Sequence, residues 1–240
     1  IAGQVNGMLG NLQKLIENVN QSSSDIAHDL KKPLGRLRQR LDDARRKAQS
    51  PADFQSAVDA ALLDIDSITE TFDALLRITQ IEAGARKDKF VAIDLRVLLA
   101  DVHDVYDIVA EDAGDKLSLV SEVTHPAMVQ GDPELLMQVF ANLVENAIRH
   151  SPSGTAIGLR LYAAPGVYRV DVTDSGPGIP ESERENVFRR LYRLERARST
   201  DGSGLGLSLV AAIVDLHGAK IALADNAPGL RVEVSFPARV

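Results

Sequence analysis

The 240-residue chain contains no cysteine, which excludes disulfide scaffolds, thiolate metal sites and cysteine nucleophiles and is compatible with a reducing compartment. It has no apolar run near the roughly 20 residues needed to span a bilayer, and no signal-peptide pattern. It also lacks excess positive charge. The 27 Lys and Arg against 34 Asp and Glu give a net charge of −7, which argues against a broad cationic surface for nucleic acid or anionic lipid. His103, His125, His150 and His217 show no ligand spacing, so no metal cluster is expected among them. Internal repeats and low-complexity tracts are absent too. The chain begins at Ile1 rather than at a methionine, and we expect a piece of a longer protein, with room for a membrane anchor upstream. What is present is an ordinary globular composition, 45% hydrophobic and 25% charged, long enough for one or two domains.

The first third carries two long helical patterns. Ile26, Leu30, Leu34, Leu37, Leu41, Ala44 and Ala48 recur at spacings of four and three, the rhythm of a coiled-coil-like seam. Phe54, Val58, Ala61, Ile65, Ile68, Phe72, Leu75 and Thr79 repeat it after Ser50-Pro51-Ala52-Asp53, a helix-restart signal. The two read as an antiparallel hairpin. Leu62 and Leu76 add more apolar surface than two helices can cover, so pairing of two hairpins into a four-helix dimer is expected. Gly84 is a C-cap candidate.

After a charged link, helix periods alternate with β-rich runs, as in an α/β sandwich. Candidate strands are 90–93, 117–123, 155–162, 167–174, 221–224 and 230–236. Candidate helices start at Asp94, at Asp132-Pro133 and after Gly204. Ala164-Pro165-Gly166 and Ala227-Pro228-Gly229 are hairpin signals that favour a mixed sheet.

Three sets of residues carry chemistry. On the first helix, at about 100° per residue, the Leu seam lies between roughly 20° and 80° from Ile26 and His28 near 200°. His28 therefore faces away from the seam as an available nucleophile, with Asp29 beside it to orient the ring or take its proton. Pro33 kinks the helix about one turn on. Taken alone, such a residue is most often an ordinary surface histidine. On the second helical region, Asn142 and Asn146 stand four apart and project from one face. An amide oxygen there suits Mg²⁺, and Arg149 and His150 one turn on reach towards phosphate or ribose. Two asparagines capping local backbone would look the same. Third come the glycine segments. Asp174-Ser175-Gly176-Pro177-Gly178-Ile179-Pro180 follows an apolar strand, its glycines allow close backbone approach, and Asp174 can accept from an adenine amine, although a plain turn also fits. Gly202-Ser203-Gly204-Leu205-Gly206-Leu207 precedes a helical run whose N-terminus can cradle phosphate. It is neither a Walker loop nor a Rossmann turn. Between them residues 187–198, including Phe188, Arg193 and Arg198, read either as a solvated helix with an apolar stripe or as a lid whose arginines neutralise a triphosphate.

The order of these features resembles the sensor histidine kinases over about residues 22–240. His28-Asp29-Leu30-Lys31-Lys32-Pro33-Leu34 is similar to their phosphoacceptor box, residues 142–151 to their N box, 174–178 to the first glycine box, and Phe188 and 202–206 to the remaining two. The resemblance implies an α+β chain: a HAMP-like linker end over 1–21, a dimerisation and phosphotransfer hairpin over 22–86 forming a dimeric four-helix bundle, and a Bergerat-type (GHKL) ATP-binding domain over 87–240. It implies ATP and Mg²⁺ as cofactors and transfer of the γ-phosphoryl to His28, with Asp29 as acid or base. Asn146 would bind Mg²⁺ and Asp174 would recognise adenine. Asn142, Arg149, His150, Gly176, Gly178, Arg193, Arg198, Gly202, Gly204, Leu205 and Gly206 would complete the nucleotide site. The partners implied are a second copy and the receiver domain of a response regulator, without nucleic acid. The fragment is expected to be cytoplasmic, joined to the bacterial inner membrane only through segments outside this sequence.

Two positions depart from the family pattern. Lys32 stands where Thr or Asn is usual four residues after the histidine, so weak phosphatase activity towards the regulator is expected. His150 stands where Tyr or Phe is common. Two rival classes are a Bergerat-fold ATPase, disfavoured because the amide of Asn142 cannot deprotonate water, and a catalytically degenerate dimeric scaffold, which would bind nucleotide without forming phosphohistidine.

Overall fold

The computed structural model describes residues 34, 35, 37–46, 50–82, 86–194 and 204–238. His28, Asp29, Lys32, Pro33, Gly84, Arg198, Gly202 and the linker segment 1–21 lie outside them. The chain forms two compact units, Ile1–Thr79 and Gln80–Val240.

In the first unit, helix α1 (37–46) is followed by α2 (Pro51–Glu82). The restart signal acts as expected: Ser50 Oγ accepts the Asp53 N–H at 3.2 Å and Asp53 Oδ2 accepts the Ser50 N–H at 3.0 Å, a reciprocal capping box with Pro51 in the first turn. Arg40 of α1 donates to Asp64 at 2.8 Å and to the Ala60 carbonyl at 3.4 Å on α2. Arg40 lies before the turn and its partners a similar distance after it, so the helices run antiparallel. Within the single chain Phe54, Leu62, Leu63 and Ile65 stay exposed, Leu63 by 70%.

The second unit begins with β1 (Val91–Asp94) and α3 (Leu95–Asp112). Next come β2 (Lys116–Ser121), β3 (Met128–Gly131) and α4 (Pro133–His150). The remainder is β4 (Ala156–Ala164), β5 (Val167–Thr173), α5 (Gly206–Leu216), β6 (Lys220–Asp225) and β7 (Leu230–Pro237). Five strands form one mixed sheet in the order β2-β4-β5-β7-β6, parallel only between β2 and β4, while β1 and β3 form a separate antiparallel pair. Strand alternation sends Leu159, Leu161, Val170, Val172, Val232 and Val234 into the core and Arg160, Tyr162, Arg169, Asp171 and Glu233 to the other face. The core is closed by Leu98, Leu99 and Val102 of α3, Leu136, Val139, Phe140 and Leu143 of α4, and Val210 and Ile213 of α5. This is a two-layer α+β sandwich.

The helix starts fall where the sequence places them, at Asp94 and Asp132, because both are local Asp caps: Asp94 Oδ1 accepts the Arg96 N–H, and Asp132 Oδ1 those of Glu134 and Leu135. Three features differ from expectation. Strand β2 stops at Ser121, where the Ser121 hydroxyl turns to the Val123 carbonyl, and β3 was not anticipated, being four residues long between a proline and an Asp-Pro helix start, too short for alternation to register. Residues 186–188 form a single 3₁₀ turn rather than the start of a longer helix.

One buried histidine ties the end of α5 to the start of α4. His217, at the end of α5, stacks on Phe90 with ring centroids 4.7 Å apart. Its Nδ1 lies 2.7 Å from the Ile213 carbonyl and its Nε2 accepts the Asp132 N–H at 3.0 Å, so the proton sits on Nδ1 and the ring is neutral. Burial pushes its pKa down, and the Ile213 bond and the Asp132 charge only partly oppose that. A histidine whose folded pKa lies below its unfolded value of about 6.5 lends stability above that pH and loses it as pH falls towards the folded pKa. We therefore expect the urea midpoint to fall between pH 7.5 and 5.5, and the fall to shrink in His217→Gln. An equal slope in both proteins would contradict the assignment.

Candidate nucleotide-binding site

Helix α4 is the spine of the site. Its core face carries Leu136, Val139, Phe140, Leu143 and Ala147, and the 3.6-residue period places Asn142 and Asn146 together on another face. Asn142 Nδ2 is buried and has no hydrogen-bond partner among the described residues. Buried amides are ordinarily paired, so this one suits a polar group brought in from outside. The first residue of α5 lies against the pair: a Cβ on Gly206 would sit 3.6 Å from Asn146 Nδ2 and 3.8 Å from the Oδ1 atoms of both Asn142 and Asn146. Among the described residues no side chain caps α5, whose N-cap is Leu205, so its first N–H groups are oriented to receive an anion. Leu205 itself is buried in the core and contributes backbone only.

At the C-terminal end of α4 stands the aspartate turn. Asp174 follows β5, and its Oδ1 accepts the N–H groups of Gly176 at 2.8 Å and Leu230 at 3.1 Å. Among the described residues Oδ2 takes no hydrogen bond, which leaves it free for an amine. Gly178 adopts φ 65° with its Cα close to the Gly229 carbonyl, and Gly204 adopts φ 72° against the Tyr192 carbonyl, where a Cβ would come within 2.9 Å. Both positions need glycine for conformation and for space. Gly176 borders His150, Asp174 and Ser151.

His150 lies between these groups and keeps an exposed edge. Desolvation of the ring and then the charges of Arg149 and Arg193 push its pKa down, against a smaller upward pull from Asp174. The structure thus brings Asn142, Asn146, Arg149, His150, Asp174, Gly176, Gly178, Arg193, Gly204 and Gly206 to one side of α4. The segment that follows is held by Glu183, which accepts from Asn186 Nδ2 at 3.1 Å and from the Tyr192 hydroxyl. Leu191 there has φ 56°, an uncommon left-handed conformation for a branched side chain.

Sequence reasoning missed the brace behind Asp174. Asn226 Nδ2 donates to the Asp174 carbonyl at 2.7 Å, the Asp174 N–H donates to the Leu230 carbonyl at 3.0 Å, and Gly229 at φ 117° packs directly on the Asp174 carbonyl. The Ala-Pro-Gly turn was visible as a turn, but nothing local shows that it presses on a residue 55 positions away. Ser151 Oγ, buried without a partner, was also missed.

Residues 131–240 match the family described as histidine kinase-, DNA gyrase B- and HSP90-like ATPase. The chain is 31% identical over 98% of its length to the sensor protein SphS of Synechococcus elongatus, of which it spans 59%. Its fold is similar to that of the mycobacterial sensor histidine kinase MprB, with a TM-score of 0.54 and 32% identity over 62% of this chain and 97% of that one. The chain belongs to the sensor histidine kinases. The second unit of this family member is accordingly an ATP-binding domain of the GHKL class, as the sequence implied. Over 97% of its length the chain also shares its fold, at 19% identity and a TM-score of 0.70, with the histidine kinase ThkA in complex with the response regulator protein TrrA. The chain spans about half to three-fifths of the curated relatives it matches. Among the described residues no helix is long and apolar enough to cross a membrane.

Proposed function

We propose that this chain binds Mg²⁺ and ATP on α4, phosphorylates His28 and passes the phosphoryl group to an aspartate of a response regulator. The observation that carries the reading is the buried amide of Asn142, unpartnered among the described residues, beside Asn146 and the start of α5, with a carboxylate that keeps one free oxygen beside the C-terminal end of the same helix. A polyphosphate fits the first end and an aminopurine the second. Mg²⁺ fits the donor set, because a hard cation that keeps its waters and phosphate oxygens can take an amide oxygen such as that of Asn146 as its protein ligand. When bound, the ion supplies charge neutralisation on the phosphates.

The residues of the chain then divide the work. Asn142 and Asn146 orient the phosphates, Arg149, Arg193 and Arg198 offset their charge, and the backbone of the glycine segments, including Gly202, Gly204, Leu205 and Gly206, closes around them. Asp174 Oδ2 accepts from the exocyclic amine, its other oxygen being locked by Gly176 and Leu230. An imidazole nitrogen of His28 forms a bond to the γ-phosphorus as the bond to the bridging oxygen breaks and ADP leaves, and Asp29 takes the imidazole proton. Positioning and charge stabilisation contribute most of the rate. The exposed Phe54, Leu62, Leu63 and Ile65 of the hairpin support its pairing with a second copy, and the greater length of the relatives supports a cytoplasmic piece of a membrane-anchored receptor.

The test is to incubate the chain with Mg²⁺ and γ-labelled ATP beside His28→Ala. Acid-labile, alkali-stable label that disappears with His28 is the expected result. Nucleotide binding without any label would replace the kinase reading with that of a scaffold.

A further inference from the structure

Among the described residues three side-chain polar atoms are buried without a hydrogen-bond partner: Asn142 Nδ2, Ser151 Oγ and Arg169 Nε. Arg169 belongs to the far face of the sheet. The other two lie on α4 and at its C-cap, at the two ends of the site. Ser151 closes α4 through its backbone, whose N–H donates to the Ala147 carbonyl at 3.1 Å, so its hydroxyl is not needed for capping. That hydroxyl borders the space a side chain would fill at Gly176. A Cβ there would lie 3.2 Å from Ser151 Oγ, 3.1 Å from Asp174 Oδ1 and 2.9 Å from the His150 carbonyl oxygen. A buried hydroxyl normally finds a partner, and glycine at 176 keeps this one open towards the aspartate turn.

We infer that Ser151 is a second polar contact of the base pocket, its hydroxyl donating, directly or through one water, to the ring nitrogen adjacent to the amine that Asp174 recognises. The inference rests on the nucleotide reading above. The spacing agrees with it. From Asn142 to Ser151 the helix rises about 13 Å at 1.5 Å per residue, a length that suits a nucleotide laid along α4 with its phosphates at Asn142 and its base at Ser151. The chemistry agrees as well. Asp174 offers only acceptors, whereas an adenine edge presents an N–H beside a bare ring nitrogen, and a serine hydroxyl supplies the missing donor.

The experiment is a cycle of two proteins and two ligands, with dissociation constants measured on the full chain for ADP and for 1-deaza-ADP, in which that ring nitrogen is replaced by C–H. The wild-type chain is expected to bind ADP about fivefold to tenfold more tightly than the deaza analogue, the worth of one hydrogen bond. Ser151→Ala is expected to bind both within about twofold, having lost affinity for ADP alone. Ser151→Thr keeps the hydroxyl and is expected to keep the discrimination, which guards against a general loss of folding. The same ratio in wild type and Ser151→Ala would overturn the assignment, because a purely structural serine weakens both ligands alike. Failure of the wild-type chain to bind ADP at all would overturn the nucleotide reading itself.

Discussion

Asn146→Ala should lower the rate of label incorporation at saturating ATP by about two to three orders of magnitude, in the range seen when one preorganised electrostatic contact to a reacting group is removed. The amide stands in contact distance of the start of α5, where phosphate oxygens and their cation would meet. Its side chain is not part of the packed core, so the urea midpoint should move by no more than about 0.5 kcal/mol equivalent. Affinity for ADP without Mg²⁺ should change much less than the rate, since an amide that holds the cation matters most when the cation is present. A rate within about threefold of wild type would remove Asn146 from the machinery.

Gly229→Ala should be the more damaging substitution to the fold, although it lies outside every glycine motif. A Cβ there would stand 1.8 Å from the Asp174 carbonyl oxygen and 2.6 Å from its carbon, on a residue at φ 117°. Left-handed strain of about 1–3 kcal/mol and overpacking of similar size add in the same direction, giving roughly 2–5 kcal/mol of lost stability. Gly166→Ala is the control, since Gly166 also has positive φ but nothing within 4 Å of its Cβ position. It should show the strain alone. Because the displaced atom belongs to Asp174, surviving folded Gly229→Ala should also bind ADP at least about tenfold more weakly. Unchanged ADP affinity would show that the β6–β7 turn does not brace the aspartate.

The helices and most strands were legible because their signals are local. Asp94 and Asp132 announce helix starts within three residues, and the apolar alternation of 155–162 and 230–236 is long enough to read. Asn142 and Asn146 were legible for the same reason, lying four apart on one helix. What escaped depends on contacts between distant positions. Leu230 donates to Asp174 across 56 positions and Asp132 to His217 across 85, and neither pair has a spacing that periodicity can detect. His217 shows no metal-ligand spacing, yet its ring accepts the backbone N–H of Asp132, the residue that caps α4. Ser151 enters the sequence reading only as the last residue of the segment 142–151, and only its burial without a partner distinguishes it.

Asp132 joins more of this structure than its single carboxylate suggests. Oδ1 caps α4, Oδ2 accepts from Arg86 Nε at 2.8 Å, and its backbone N–H is taken by His217. Arg86 lies where the chain enters the ATP-binding unit, and α4 is the helix that bears the asparagines. One residue thus fastens the entry strap and starts the working helix, so the two cannot be loosened independently. In a genetic screen Asp132 would behave as a single point of failure, its loss indistinguishable at first sight from the loss of a residue that touches nucleotide.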